Sequence, residues 1–188
     1  MQYIKGMQFY QNDKKTAITL GKFDGLHRGH ETLIERVIEH QKNDGVDSVV
    51  FAFDMSPLYE KIKKKKESLI TNEERAGRLF GRVDYLVECP FVEAVSKIEA
   101  ETFIKEILVK QFHAKYIVVG TDFHFGYQKK GDYHMLQQYS GEYGYEVEVI
   151  EKKCYEDREI SSTYIKEEVK KGNMKLVTQL LGYPYTVT

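Results

Sequence analysis

Tryptophan is absent from this chain, and cysteine is scarce, with only Cys89 and Cys154 among 188 residues. Two isolated thiols cannot make the disulfide framework that staples small secreted domains, and they lack the paired spacing of a zinc site. A reducing, cytoplasmic setting is the expectation that follows, with no role assigned to either cysteine. Net charge is nearly missing too, since 28 Lys and Arg stand against 29 Asp and Glu, a formal −1. A protein that grips nucleic acid by bulk charge needs a basic face, so a nucleic-acid partner is not expected. Apolar runs such as Val49-Val50-Phe51-Ala52-Phe53 fall far short of the roughly 20 residues that cross a bilayer, so no membrane partner is expected either. The start, Met1-Gln2-Tyr3-Ile4-Lys5, lacks the charged and then apolar regions of a secretory signal, and none is expected. There is no internal repeat or long linker. What is present, 30% charged and 41% hydrophobic residues over a length typical of one domain, describes a globular chain. Oligomeric state is left open.

Strand and helix patterns alternate along the chain. Thr16-Ala17-Ile18-Thr19-Leu20 is a short apolar strand, and Met1–Tyr10 before it a leader strand or loop. Leu33, Ile34, Val37 and Ile38 recur at helical spacing from Gly29 to about Gln41, where Asn43-Asp44-Gly45 ends the helix. Val46–Phe53 reads as a buried strand, Lys61–Lys66 as a lysine-rich loop, and Thr71-Asn72-Glu73-Glu74 as a capping box. Strands are predicted over Val83–Val87, Tyr116–Val119 and Tyr145–Ile150, and helices over Ala100–Phe112 and Gly131–Tyr143. Ser161-Ser162-Thr163 opens a final helical region that Gly172-Asn173 divides before Leu181-Gly182. This alternation predicts βαβ units: one α/β domain with a mostly parallel sheet and helices on both faces.

Ligands of such sheets bind beyond the carboxyl ends of strands. Three segments of unusual composition fall at strand ends or at a helix start. Gly21-Lys22-Phe23-Asp24-Gly25-Leu26-His27-Arg28-Gly29-His30 joins the first strand to the first helix. Its glycines admit close backbone approach, and His27 and His30 put imidazole groups at the positive end of a helix, a setting suited to polyphosphate. The Gly-Lys-Ser/Thr ending of a Walker loop is missing, the glycine spacing is not that of a dinucleotide fingerprint, and no Cys or carboxylate completes a zinc set. Gly120-Thr121-Asp122-Phe123-His124-Phe125-Gly126 offers a carboxylate and two aromatic faces, although Phe123 and Phe125 would equally pin a loop to the core. Ser161-Ser162-Thr163, with Lys166 one turn inside the helix, is either a plain cap or a second anion cradle.

Taken together, the three segments resemble the FMN adenylyltransferases, the N-terminal domains of bacterial bifunctional riboflavin kinase/FMN adenylyltransferases. The resemblance runs in order through Gly21–His30, Gly120–Gly126 with Gly131-Asp132, Ile160–Thr163 and the closing Leu180-Leu181-Gly182-Tyr183-Pro184-Tyr185. It implies a Rossmann-like nucleotidyltransferase fold that moves AMP from ATP to FMN with Mg²⁺, releasing pyrophosphate. It implies catalytic roles for His27, His30 and Lys166. ATP would be bound by Gly21, Lys22, Phe23, Asp24, Gly25, His27, Gly29, His30, Ser161, Ser162 and Thr163. The flavin would be bound by Ser56, Pro57, Asp122, Phe123 and Phe125, with Asp122 also on the metal. A single adenylyltransferase domain over residues 1–188, without riboflavin kinase activity, is the corresponding expectation.

Catalysis of this kind needs no activated Ser or Cys, because FMN carries its own nucleophile, a phosphate oxygen. Alignment of two anions and neutralisation of their charge can supply it. The chain departs from the family where Pro-x-Pro with a central His is common; Met55, Ser56 and Pro57 stand there. Lys166 stands where Arg is usual, keeping the charge but losing the bidentate fork, and Tyr164 also replaces a frequent Arg. These departures keep two alternatives open: a related nucleotidyltransferase with another phosphorylated acceptor, and a non-catalytic flavin- or nucleotide-binding module. The lysine run at 61–66 reads as a solvated loop that would also steer anions.

Overall fold

The β-branched and apolar runs around Ile18, Val50 and Val118 become neighbouring strands of one sheet. The computed structural model describes residues 1–63, 65 and 67–186. Its strands are β1 (Gln2–Lys5), β2 (Thr16–Gly21), β3 (Asp47–Asp54), β4 (Tyr85–Pro90), β5 (Ala114–Gly120), β6 (His124–Phe125), β7 (Gly131–Asp132), β8 (Glu146–Ile150), β9 (Cys154–Tyr155) and β10 (Arg158–Glu159). Six of them form a parallel sheet in the order β1-β4-β3-β2-β5-β8, while β6–β7 and β9–β10 are small antiparallel hairpins. The helices are α1 (Arg28–Asp44), α2 (Ser56–Lys61), α3 (Asn72–Leu79), α4 (Glu93–Ser96), α5 (Ala100–Thr102), α6 (Tyr133–Tyr143), α7 (Ser162–Lys170) and α8 (Met174–Leu181). After α5 the chain continues with π-helical turns over Phe103–Gln111, where Phe112 N–H reaches back to the Ile107 carbonyl. Those wider turns still bury Phe103, Ile104, Ile107 and Leu108.

Helices cover both faces, as the apolar alternation requires. Ile18, Leu20, Phe51 and Ile117 point to the layer that holds Ile104, Leu108 and Leu136, and Ala17 and Val118 point to Val37 of α1. Phe51 meets Phe53, Phe103 and Phe112 edge-on at centroid distances of 5.0, 6.2 and 5.5 Å. Truncating such a fully buried ring to Ala costs about 3–5 kcal/mol. A smaller core of Leu69, Ile160, Ile165, Val177, Leu180 and Leu181 seats α7 and α8.

Several boundaries differ from those predicted. The fourth strand lies over 85–90 instead of 83–87. The helix expected from Gly131 begins at Tyr133, because Gly131 and Asp132 pair with Phe125 and His124 and Asp132 caps the helix through Met135 N–H at 3.0 Å. α2 was not legible; its Lys61 belongs to the lysine run, of which Lys64 and Lys66 lie outside the described residues. Met1–Tyr10 supplies an edge strand, β1 on β4, and a 3₁₀ turn.

Strand order decides where a ligand can bind. From β2 the sheet builds through β3 and β4 to one side, and from β5 through β8 to the other. The direction reverses between β2 and β5, which opens a crevice beyond their carboxyl ends. Gly21 and Gly120 close those two strands.

Candidate active site

Between β2 and α1 the chain must reverse within a few residues. Phe23, Gly25 and Leu26 do so at φ of 48°, 88° and 38°, and Phe23 and Leu26 are held there because their side chains are fully buried. At Gly25 a Cβ would come within 2.7 Å of Leu69 Cδ1 and 3.3 Å of Leu181 Cδ2, so both backbone angle and space demand glycine. His27 then caps α1: its Nδ1 accepts from His30 N–H at 3.4 Å, while the N–H groups of Arg28 and Gly29 in the first turn have no partner within the helix. The two imidazoles stack at 3.7 Å and 18°. At Gly29 a Cβ would lie 3.2 Å from the His27 ring.

Burial sets the charge of these rings. His27 is pushed down to about 4 by desolvation, against a smaller upward pull from Asp24 and Asp122. His30 lies well below its ordinary value through burial, with His27 and Arg75 adding to it. Both are neutral at pH 7 in the free chain, and His30 Nδ1 is buried without a hydrogen-bond partner among the described residues.

The second half of the chain closes on this turn through Asp24. Its Oδ1 accepts from Leu69 N–H at 2.7 Å, its Oδ2 lies 2.5 Å from Lys166 Nζ, and its carbonyl accepts from Ser162 Oγ at 2.7 Å. Ser161 caps α7 through Tyr164 N–H at 3.2 Å, and Thr163 is exposed. Lys166 and Ser162, both expected on phosphate, are thus engaged with the loop, which brings Gly21–His30 and Ser161–Lys166 together at one strand end. Lys22 is exposed, with its carbonyl held by Arg75.

Across the crevice the chemistry is more open. Asp122 follows β5 and is exposed; its Oδ2 lies 3.1 Å from Lys152 Nζ, which also reaches Glu159 at 2.7 Å. These two acidic partners raise the pKa of Lys152. Phe123 and Phe125 stack at 5.6 Å and 19°. Phe125 is buried against Phe103, so it anchors the core, and the partly buried Phe123 lies over it. Ser56 and Pro57 start α2 beyond β3, where Asp54 Oδ1 accepts from Ser56 N–H at 3.0 Å and from its Oγ at 2.6 Å. Among the described residues no three His, Cys, Asp or Glu side chains converge as a metal cage. A Mg²⁺ ion does not need one, since it is commonly held by one or two carboxylates together with substrate phosphates, and Asp122 suits that mode.

Sequence reasoning missed Lys152 and Arg75. Lys152 stands in no motif. Arg75 had a signal, a charged side chain four residues before Leu79 on the buried stripe of α3.

Known proteins resemble this chain in sequence and fold. The model of the FAD synthetase family matches residues 9–164. The bifunctional riboflavin kinase/FMN adenylyltransferase of Escherichia coli K12 is 31% identical over 174 residues, covering 92% of this chain and 56% of that protein. The protein of the same name from Haemophilus influenzae is 30% identical over 190 residues, covering 100% of this chain and 62% of that one. A crystal structure described as a macrolide-efflux protein from Streptococcus pneumoniae superposes with a TM-score of 0.85 at 27% identity, covering 98% of this chain and 63% of the other. Among the described residues of this chain, no helix is long and apolar enough to cross a membrane. The chain thus spans less than two thirds of these relatives' length. With the family model matched from before β2 into the start of α7, across all three site segments, this chain belongs to the FAD synthetase family.

Proposed function

We propose that this chain transfers AMP from ATP to FMN, forming FAD and pyrophosphate. The observation that carries the reading is the junction at Asp24, where Ser162 and Lys166 meet the turn that bears His27 and His30. An oxygen of the FMN phosphate attacks the α-phosphorus of ATP; that P–O bond forms as the bond to the pyrophosphate oxygen breaks, and pyrophosphate leaves with the electron pair. No side chain need become covalently attached. The contribution of the protein is alignment and fixed positive potential from the start of α1 and from its histidines. Bound phosphates favour the protonated imidazole, so arriving negative charge shifts His27 and His30 upward from the low values they have in the free chain. Lys166, paired with Asp24 in the free chain, lies close enough to the same turn to share in that neutralisation. Mg²⁺, held by Asp122 and phosphate oxygens, would neutralise further charge on the phosphates. Ser56, Pro57 and Phe123 would face the flavin.

The same reading takes residues 1–188 as one adenylyltransferase domain in a cytoplasmic protein. Incubation with ATP, Mg²⁺ and FMN, followed by chromatography for FAD and pyrophosphate, tests it. Met55 and Ser56 in place of the usual residues favour a second reading, adenylyl transfer to another phosphorylated acceptor. Pyrophosphate released only with a different acceptor would select that reading. Tight binding of ATP or FMN without any turnover would select a non-catalytic module.

A further inference from the structure

The carbonyls of the turn after β2 are taken up from outside it. The carbonyl of Lys22 accepts from Arg75 Nη1 at 3.2 Å, that of Asp24 from Ser162 Oγ at 2.7 Å, and that of Gly25 from Tyr183 Oη at 2.6 Å. A backbone turn that receives an anion has to present N–H groups to it, and carbonyl oxygens left in the same crevice would repel the anion. Drawing three of them away therefore has an electrostatic consequence beyond rigidity.

The holders are themselves braced. Arg75 is only 4% exposed, as is Glu88 of β4. The Arg75 Nη2 donates to Asn72 Oδ1 at 2.8 Å and lies 3.5 Å from Glu88 Oε2. Glu88 also accepts from Tyr3 Oη and Asn72 Nδ2, so β1, β4 and α3 together fix the guanidinium. Among the described residues, Arg75 Nε and His30 Nδ1 are buried without a hydrogen-bond partner, and the Arg75 charge acts on that histidine. On the other side, the Arg78 guanidinium packs over the Tyr183 ring at 3.4 Å, which sets the phenol toward Gly25. An arginine buried at this depth is costly unless fully paired, and much of its pairing here is directed at one loop carbonyl and one strand carboxylate.

We propose that Arg75 and Tyr183 are positioning residues for adenylyl transfer, which pull the Lys22 and Gly25 carbonyls out of the crevice and so orient the turn for the phosphates of ATP. The proposal rests on the adenylyltransferase reading above. Neither side chain is assigned a contact with substrate; both act through the backbone, and their effect is confined to the nucleotide side.

The test measures calorimetric binding of a non-hydrolysable ATP analogue with Mg²⁺, and of FMN alone, before turnover is assayed. Tyr183→Phe removes one hydroxyl and keeps the ring on Arg78. It is expected to weaken the analogue about fivefold to tenfold, the scale of losing one part-buried hydrogen bond, with FMN binding within about twofold of the unsubstituted chain. Arg75→Met strands the Glu88 carboxylate and endangers folding, so the double variant Arg75→Met/Glu88→Gln, which removes both charges, carries that arm. It is expected to show the same split, and Arg75→Lys to recover part of the lost affinity. Lower melting temperatures with unchanged analogue affinity in both Tyr183→Phe and the double variant would mean a purely structural role and overturn the proposal. Equal losses for analogue and FMN would overturn it as well. If the unsubstituted chain binds the analogue but makes no FAD, the adenylyltransferase reading fails while the binding split still decides the positioning role. A chain that binds no analogue overturns both.

Discussion

Beyond β2, side chains from α3, α7 and the segment after α8 tie down the turn that carries His27 and His30, and the two rings are largely withdrawn from water. Beyond β3 and β5, Ser56 and Pro57 start the short helix α2 and Asp122 and Phe123 follow β5, with Asp122 exposed and tied to Lys152. The turn on the proposed nucleotide side is preorganised from parts far apart in the chain, whereas the proposed flavin side presents an exposed carboxylate held by one lysine. Preorganisation suits the polyphosphate, whose charge must be met by fixed donors, while a flat ring needs an adaptable wall.

The largest break in this contrast is expected at His30. Replacing it with Ala should lower the rate of FAD formation by about a hundredfold or more, the scale of losing one preorganised donor, with an unchanged circular dichroism spectrum. Turnover near that of the unsubstituted chain would remove His30 from the phosphate site. Next in size is Gly25→Ala. With φ at 88° and Leu69 Cδ1 at 2.7 Å from the added Cβ, it should destabilise the fold by about 1–3 kcal/mol. Gly45→Ala is the control, because φ is 68° there but nothing lies within 4 Å, and it should lose clearly less; equal melting temperatures would mean that the turn is not held by packing.

A third effect is in pH. His27 is held at about 4, and His30 well below its ordinary 6.5, so the unfolded chain takes up protons that the folded one refuses. Stability is therefore full above about 6.5 and falls as pH drops toward about 4. Guanidinium midpoints at pH 7 and pH 5 read this out. Substituting Gln for both histidines should shrink the difference, and an unaltered difference would place its origin elsewhere.

The smallest effect concerns the adaptable wall. Ser56→His should improve the KM for FMN by about twofold to fivefold while leaving that for ATP in place. A change in the ATP constant instead would show that the two sides are coupled more tightly than their hydrogen bonds suggest.

Much of the fold was legible because its signals are local. Strand and helix alternation, the capping box at Thr71 and Glu74, and the break at Gly172-Asn173 all appear where periodicity and cap chemistry put them. α2 was missed because six residues around Ser56 and Pro57 carry too little periodicity to separate a helix from a loop. The two small hairpins were missed for the same reason, since two-residue strands have no alternation to read.

The site divides in the same way. His27, His30, Asp24 and Asp122 were legible as residue types at strand ends and at a helix start. What Asp24 does was not legible, because Ser162 reaches its carbonyl across 138 residues of chain, and Tyr183 reaches Gly25 across 158. No periodicity connects positions so distant. Local backbone preference and burial alone dictate that a parallel α/β sheet sets glycine-, histidine- and hydroxyl-bearing turns at the ends of its elements. The tertiary fold sets the rest: Lys166 and Ser162 hold Asp24, Lys152 meets Asp122, and burial keeps the two histidines neutral in the free chain. Each of these depends on which groups the fold brings within a few ångströms and which it shuts off from water.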